Sequence, residues 1–288
     1  MSKILATLAI MLLLAMIFLS GCASTTDLVD SDTPGQIPEY NGHFVIGGSR
    51  AGTPAIKILT DAFSKKHPGV TFEYRPGSKT SSALKQVANE TLDIGIFARD
   101  LKPEEKQPGL NAYVLLYDAI AVIVNKNVPI ESLTVQQVRD IYAGKIRNWN
   151  KIAKASSPII ICDRSEDETA KLAMRKFVFG DDLAITENTV ILETESDMIN
   201  AVSSTPYSIG YCSAPLARKD SNVKVLKIDG IEPSIANMRN GSYQVMRPVS
   251  IGALDQNETI KPFINFAYSK EARELLVKNG YLPAKDKK

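Results

Sequence analysis

Three turns of the sequence place glycine, hydroxyl or arginine residues directly before a predicted helix. They are Gly48-Ser49-Arg50, Ser78-Lys79-Thr80-Ser81, and the stretch from Arg164 to Thr169. Glycine allows backbone N–H groups to approach an anion closely, hydroxyl groups donate hydrogen bonds, and the N-terminus of a helix adds positive potential. Taken alone, each turn is more simply explained by helix capping. Taken together, the three turns predict a site for an anion.

Two arginines follow predicted strands directly. Arg99 comes after Ile94-Gly95-Ile96-Phe97, and Arg164 comes after Cys162-Asp163. The planar guanidinium group matches the geometry of an oxyanion, so both side chains are candidate ligands. A salt bridge at the surface or between two lobes is the alternative role for each of them. The pattern alone leaves both roles open.

Strand and helix patterns alternate from Phe44 onward. Phe44-Val45-Ile46 predicts a buried strand, and Thr53-Pro54 predicts the start of a helix. The uninterrupted apolar run from Ala119 to Val124 is typical of a parallel strand covered on both faces. Thr134 and Gln137 predict a capping box. The alternation predicts an α/β fold with mainly parallel sheets flanked by helices, in which a ligand lies outside the carboxyl ends of the strands.

The N-terminus has the pattern of an export signal. Lys3 precedes an uncharged apolar run from Ile4 to Leu19, which ends in Leu19-Ser20-Gly21-Cys22. This motif resembles a lipobox, which implies cleavage before Cys22, lipidation of its thiol, and anchoring to the outer face of the cytoplasmic membrane. An uncleaved signal anchor, with Cys22 as an ordinary buried thiol, is the alternative. Residues 1–22 are thus a predicted signal peptide, and residues 23–41 a flexible extracytoplasmic tether.

Composition and histidine content argue against several classes of function. The 288 residues include 34 basic and 32 acidic side chains, and these charges are scattered, so nucleic-acid binding is not favoured. His43 and His67 are the two histidines, and we expect both at the surface. Neither a Ser-His-Asp arrangement nor His-rich zinc spacing is visible. The sequence predicts no catalytic residue, metal or cofactor, with carboxylate-only magnesium chemistry left open.

Cys162 and Cys212 lie in apolar, strand-like runs. In an exported protein such cysteines can form a disulfide or remain as thiols. The sequence does not show how far apart the two cysteines lie in the fold, so we expect two buried free thiols, with a disulfide as the alternative.

Longer segments resemble the phosphate-binding protein of ABC-type phosphate importers, a member of the type II periplasmic-binding-protein superfamily. The matching segments occur in family order over nearly the whole mature chain, and Gly144 to Trp149 is the most distinctive. The others are Leu92-Asp93-Ile94-Gly95 with Arg99, Asp118 to Asn125, Leu133-Thr134, Ile209-Gly210-Tyr211, Ile228 to Ser234, Gly241-Ser242-Tyr243 with Arg247-Pro248, and Gly280-Tyr281-Leu282-Pro283.

The resemblance implies two α/β lobes joined by a two-strand hinge. Residues 42–118 plus 247–288 would form lobe 1, and residues 119–246 would form lobe 2. The chain would cross between the lobes near Asp118 and Arg247. A monomer of this kind would close around phosphate or a related oxyanion and deliver it to the membrane permease of an ABC importer, whose ATPase is a separate chain.

The resemblance also assigns residues to the anion site. These are Gly48, Ser49 and Arg50 in the first loop, Ser78, Thr80 and Ser81 in the second, Arg99 in the third, and Arg164 with Thr169 in the fourth.

Several loops depart from the family pattern. Arg50 replaces a usual threonine, Lys79 lies inside the second loop, and Ala98 replaces a serine. Where a Gly-Ser-Gly-Thr turn is usual, the chain has Glu166-Asp167-Glu168 before Thr169. These carboxylates either point outward as charges of a first helical turn, or the site is retuned for another ligand, as in a sensor or a degenerate binding protein. Arg50 and Lys79 could offset the added acidity.

Overall fold

The computed structural model describes residues 40–286. The predicted signal peptide, the lipobox cysteine Cys22 and nearly all of the predicted tether lie outside the described residues. Among residues 40–286, none of the helices has the length and apolar character needed to cross a membrane.

Strands and helices alternate along the described chain. The strands are β1 (Gly42–Gly48), β2 (Val70–Tyr74), β3 (Ile94–Phe97), β4 (Leu110–Asn125), β5 (Ser132–Leu133), β6 (Ile160–Asp163), β7 (Thr189–Ile191), β8 (Ser208–Ser213), β9 (Val223–Val225), β10 (Lys227–Ile228), β11 (Met246–Leu254) and β12 (Leu282–Pro283). The helices are α1 (Thr53–Lys66), α2 (Thr80–Ala88), α3 (Val135–Tyr142), α4 (Thr169–Met174), α5 (Glu195–Ser204), α6 (Ala214–Ala217), α7 (Ile235–Arg239), α8 (Lys261–Ala267) and α9 (Lys270–Lys278). A π-helical segment, Arg175–Phe179, extends α4.

One large mixed sheet organises the described chain, in the order β2-β1-β3-β11-β4-β8-β6-β7. β1 is parallel to β2 and β3, and β6 is parallel to β7 and β8. β4 is antiparallel to β11 and β8, and the short strands β9 and β12 also pair with it. Helices between the strands supply the right-handed α/β connections that parallel pairs require.

The long strand β4 joins the two halves of the sheet. Its residues 110–119 pair with β11, and its residues 120–124 pair with β8. We call β2, β1, β3, β11 and residues 110–119 the first half, and residues 120–125, β8, β6 and β7 the second half. Arg247 of β11 is paired in register with Asp118 of β4 at the changeover. The exact limits of the two lobes stay a prediction.

Strand direction in β4 differs from the sequence expectation. Residues 119–124 are fully buried, as the apolar run predicts. The predicted parallel pairing is wrong, because this stretch is antiparallel to β8. A continuous apolar run reports burial on both faces of a sheet, and burial does not distinguish the direction of the neighbouring strands.

Helix starts follow their local signals closely. In α3 the Thr134 hydroxyl accepts a hydrogen bond from the Gln137 N–H, and the Gln137 side chain accepts one from the Thr134 N–H, which confirms the capping box. Gly52 is the N-cap of α1, one residue before the predicted Thr53, and the Thr53 hydroxyl donates to the Ser49 carbonyl at 3.0 Å. The first loop is thereby tied to the first turn of α1.

The two largest apolar clusters of the described residues lie around Phe63 and around Trp149. The expectation that His67 lies at the surface is wrong, since it is 7% exposed. Its ring centroid lies 4.6 Å from that of Phe63 and 4.9 Å from that of Tyr40. The lysines next to His67 in the sequence favoured a solvent-exposed position, but two aromatic rings pack against its imidazole ring.

Both described cysteines are buried free thiols. Cys162 lies on β6 and Cys212 lies on β8, next to Met198 and Val202. Burial raises the pKa of the Cys162 thiol to about 11.

Candidate anion-binding site

A cavity of about 370 Å³ lies between the loops that follow β1, β2 and β3 and the loop that follows β6. All of the sequence-predicted site residues line it except Gly48 and Arg164. The lining hydroxyl and cationic residues are Ser49, Ser78, Thr80, Ser81, Thr169, Arg50, Lys79, Arg99 and Lys102. The fold therefore brings four separate loops to one place.

Gly48 positions the first loop without lining the cavity. Its φ is +126°, and an added Cβ would lie 2.5 Å from the carbonyl oxygen of Ile96. Only glycine allows this close approach between β1 and β3. Ser49, the next residue, is thereby turned toward the cavity and is itself buried.

Backbone N–H groups of the first loop are occupied by the sheet. The Ser49 N–H donates to the Ile96 carbonyl at 2.8 Å, and the Arg50 N–H donates to the Ser78 carbonyl at 3.3 Å. The Ser78 N–H donates to the Gly48 carbonyl at 2.7 Å. These three N–H groups are therefore used within the sheet and its Ser49–Ser78 extension. At these three residues the side chain, and not the N–H group, is available to an anion.

Two threonine hydroxyls are held with their protons available to the cavity. The Thr80 hydroxyl oxygen accepts a hydrogen bond from the Ala98 N–H at 3.3 Å. The Thr169 hydroxyl oxygen accepts one from Arg247 Nη1 at 2.9 Å. A hydroxyl has one donor proton and two acceptor lone pairs, so an oxygen that already accepts still has its proton to donate. Both threonines are buried, which keeps the donors oriented.

Arg99 reaches the cavity with its guanidinium already paired. Its Nη1 and Nη2 atoms each donate to a carboxylate oxygen of Glu105 at 2.6 Å, and Nη1 also donates to the Asp100 carbonyl. The hydrogen bonds from Arg99 hold the pKa of Glu105 below its usual range. Glu105 is not among the site residues predicted from the sequence. Its spacing of six residues from Arg99, across Lys102-Pro103, is the one sequence signal that could have indicated this pair.

The three carboxylates of the acidic turn face different ways. Glu166 is exposed and receives two hydrogen bonds from Arg175, at 2.6 and 2.9 Å. Asp167 is exposed and pairs with Lys79, which lowers the Asp167 pKa. Both residues also line the cavity, so their charges are paired with cations at its edge rather than directed away from it. The choice between the two interpretations of this turn stays a prediction.

Glu168 points inward. Its side chain is 12% exposed and lies between two arginines, with Oε2 2.9 Å from Arg164 Nη2 and Oε1 3.5 Å from Arg50 Nη2. This contact was not predicted from the sequence. The four-residue spacing between Arg164 and Glu168 was the available signal, since oppositely charged residues at this spacing often pair.

Arg164 is a buried guanidinium with unused donors. Its side chain is 2% exposed, and Nη2 donates to Glu168 and to the carbonyl of Glu193 at 3.1 Å. Within residues 40–286, its buried Nε and Nη1 atoms have no hydrogen-bond partner. It lines a second cavity of about 250 Å³, next to the first, that also contains Arg50 and residues 193–196. Because a buried polar group without a partner is costly, these N–H groups point to a ligand.

A buried charge network lies behind the site, at the changeover between the sheet halves. Arg247 donates to Asp118 Oδ2 at 2.7 and 3.2 Å and to Glu195 Oε1 at 2.8 Å. Burial raises the pKa of Asp118 to about 6, against the lowering effect of Arg247. Burial would also raise the pKa of Glu195, but the positive charges of Arg247 and Arg164 outweigh it, and the pKa is lowered. Through its bond to Thr169, Arg247 connects this network to the cavity.

A family model for the PBP superfamily domain matches residues 32–271. The chain belongs to the PBP superfamily. The two-lobed α/β architecture predicted from the sequence is confirmed by this match and by the structural neighbours.

Solved structures and curated sequences place this PBP superfamily member near phosphate-binding proteins. The phosphate-binding protein PstS of Bacillus subtilis (strain 168) is 24% identical over 292 residues, covering 98% of this chain and 95% of the relative. A phosphate ABC transporter substrate-binding protein from Clostridium perfringens, solved with bound phosphate, has a TM-score of 0.76 and 31% identity, covering 84% of this chain and 100% of that chain. An ABC-type phosphate transport receptor from Vibrio cholerae has a TM-score of 0.66 and 24% identity, covering 83% of this chain and 99% of that chain. The resemblance predicted from the sequence is confirmed.

Proposed function

We propose that this chain is an extracytoplasmic solute-binding lipoprotein that captures inorganic phosphate, or a similar oxyanion, between its two lobes. The observation that carries the proposal is the buried Arg164 guanidinium, whose Nε and Nη1 donors have no partner in the described residues. They lie beside a cavity lined by serine and threonine hydroxyls. A planar cation with oriented N–H groups and neutral hydroxyl donors is the donor set that a tetrahedral oxyanion needs.

The relatives support phosphate as the ligand. The Bacillus subtilis relative is named for phosphate binding, and the Clostridium perfringens structure contains phosphate. The donors in the cavity are hydroxyls and cations from the loops to which the sequence resemblance assigns the anion. We therefore infer a binding role for the site rather than a catalytic one.

Capture by closure is the mechanism we infer. Arg50 and Lys79 follow strands of the first sheet half, and their partners Glu168 and Asp167 lie in the loop after β6 of the second half. The same three loops carry hydroxyl donors, so a ligand between them adds contacts to both sheet halves at once. A ligand that contacts both lobes shifts the population toward the closed state. The closed protein, a monomer anchored through Cys22, would then deliver the anion to an ABC permease.

Direct titration of the mature protein tests the ligand. Phosphate at a hundredfold excess over its Kd should add about 2.7 kcal/mol to the free energy of unfolding, and should raise the melting temperature by several degrees. Isothermal titration calorimetry measures the affinity, with sulfate, molybdate and tungstate as competing anions. If another oxyanion releases or absorbs heat on binding and stabilises the protein while phosphate does not, that oxyanion is the ligand in place of phosphate. No response to any of the four anions would contradict oxyanion binding.

Arg99→Ala should weaken phosphate binding by about tenfold or less, which is the loss of one partly engaged charge-assisted contact. The effect is modest because Glu105 already holds both Nη atoms of Arg99. Calorimetric titration measures the change. Arg75→Ala is the matched control, since Arg75 is exposed and pairs with Glu73. If Arg99→Ala weakens phosphate binding as much as an Arg164 variant does, the larger contribution that we assign to Arg164 is contradicted.

A further inference from the structure

The carboxylate of Glu168 bonds the Arg164 guanidinium at Nη2, beside the Nε and Nη1 donors that we assign to the oxyanion. We propose that Glu168 is a tethered competitor of the bound anion, and that it sets the affinity of the site. The proposal rests on the proposed function, because it concerns the same arginine and the same ligand. It assigns Glu168 a role that weakens binding in this chain.

The position of Glu168 in its helix supports this role. Glu168 is the N-cap residue of α4, yet its side chain accepts no capping hydrogen bond from that helix. The carboxylate instead bonds Arg164 Nη2 at 2.9 Å and approaches Arg50 Nη2 at 3.5 Å. An acidic side chain at a helix start is stabilised by the exposed N–H groups there. Glu168 therefore contacts two arginines and does not cap the N–H groups at the start of α4.

Most cations around the two cavities already contact a carboxylate. Lys79 pairs with Asp167, and Arg99 pairs with Glu105. Lys102 also lines the first cavity, whereas Arg50 and Arg164 line the second. Glu168 therefore engages both arginines of the second cavity.

An incoming phosphate must therefore displace the carboxylate or bind next to it. Displacement exchanges one charge-assisted hydrogen bond to Arg164 for another, so much of the gain from the new bond is cancelled. Binding next to it places two negative groups close together in a largely buried site, where their repulsion is weakly screened. Either route reduces the affinity relative to a site with a neutral residue at position 168.

Glu168→Gln removes the negative charge and preserves the shape of the side chain. We expect this variant of the mature protein to bind inorganic phosphate at least about tenfold more tightly than the wild type in calorimetric titration, because a neutral amide competes poorly for Arg164. Glu131→Gln is the matched control, since it removes the same charge from an exposed glutamate that pairs with Lys224 and lines neither cavity. We expect the control to change the affinity by less than about twofold.

The outcomes separate this proposal from the proposed function. Wild-type binding with unchanged or weaker binding by Glu168→Gln overturns the competitor role and leaves oxyanion binding intact. Equal tightening by Glu131→Gln also overturns it, because the effect would then be a general charge effect. Absence of phosphate binding by both the wild type and Glu168→Gln overturns both proposals. A tightened Glu168→Gln with an unchanged melting temperature supports the competitor role, since a purely structural residue would not increase affinity when replaced.

Discussion

Arg164→Met is expected to weaken phosphate binding by at least about thirtyfold, since losing one partner of a buried charged contact costs about 2–5 kcal/mol. The methionine side chain fills the space of the arginine stem but has no N–H donors. The wild-type guanidinium is 2% exposed and keeps two buried nitrogen atoms without partners among the described residues. Calorimetric titration of the mature protein with phosphate measures the loss.

Two further variants make the Arg164 result specific. Arg239→Met is the matched control, because Arg239 is a partly exposed arginine that pairs with Asp286 far from the cavity. We expect it to bind phosphate with wild-type affinity. Arg164→Lys should bind more weakly than the wild type and more tightly than Arg164→Met, because an ammonium retains the charge but not the planar set of donors. Wild-type affinity in a folded Arg164→Met protein would remove this residue from the site.

Much of the fold could be predicted from the sequence because its signals are local. The capping box of Thr134 and Gln137 needs only residues three apart, and the glycine at position 48 marks a strand end where a side chain cannot fit. Alternating strand and helix patterns specify an α/β fold, whose parallel strands bring their carboxyl ends together. That rule explains why loops widely separated in sequence line one cavity.

Pairing partners were harder to predict, because they depend on side chains that meet only in the folded chain. Lys79 and Asp167 are 88 residues apart, and no local pattern joins them. The direction of residues 119–124 depends on which strand returns beside them, which burial does not encode. Glu168 is a different case, since its spacing from Arg164 was visible, but an acidic first turn is usually explained by the helix dipole.

Arg247→Met is expected to lower the free energy of unfolding by about 3–5 kcal/mol, the usual effect of removing one partner of a buried ion pair. Arg247 is the hydrogen-bonded cation shared by two buried carboxylates, Asp118 and Glu195. Both lie at the changeover between the sheet halves, so the two carboxylates would be left without this shared cation. Urea unfolding followed by circular dichroism measures the loss, with Arg239→Met again as the control.

The pH dependence of that loss distinguishes an electrostatic effect from a packing effect. In the wild type the pKa of Asp118 is raised to about 6, so this carboxyl contributes stability that is lost as the pH rises from about 4 to about 6. The pKa of Glu195 is lowered, so its contribution has the opposite sign and is lost as the pH falls.

Removing Arg247 takes away a charge that lowers both pKa values, so the pKa of each carboxyl should rise in the folded chain. A higher pKa in the folded chain costs stability where the carboxyls are ionised, so the penalty of Arg247→Met should be larger at about pH 7 than at about pH 4. Unfolding curves of wild type and variant at both pH values measure this difference. An equal penalty at the two pH values would assign the effect to lost packing of the arginine side chain, since a cavity does not depend on protonation.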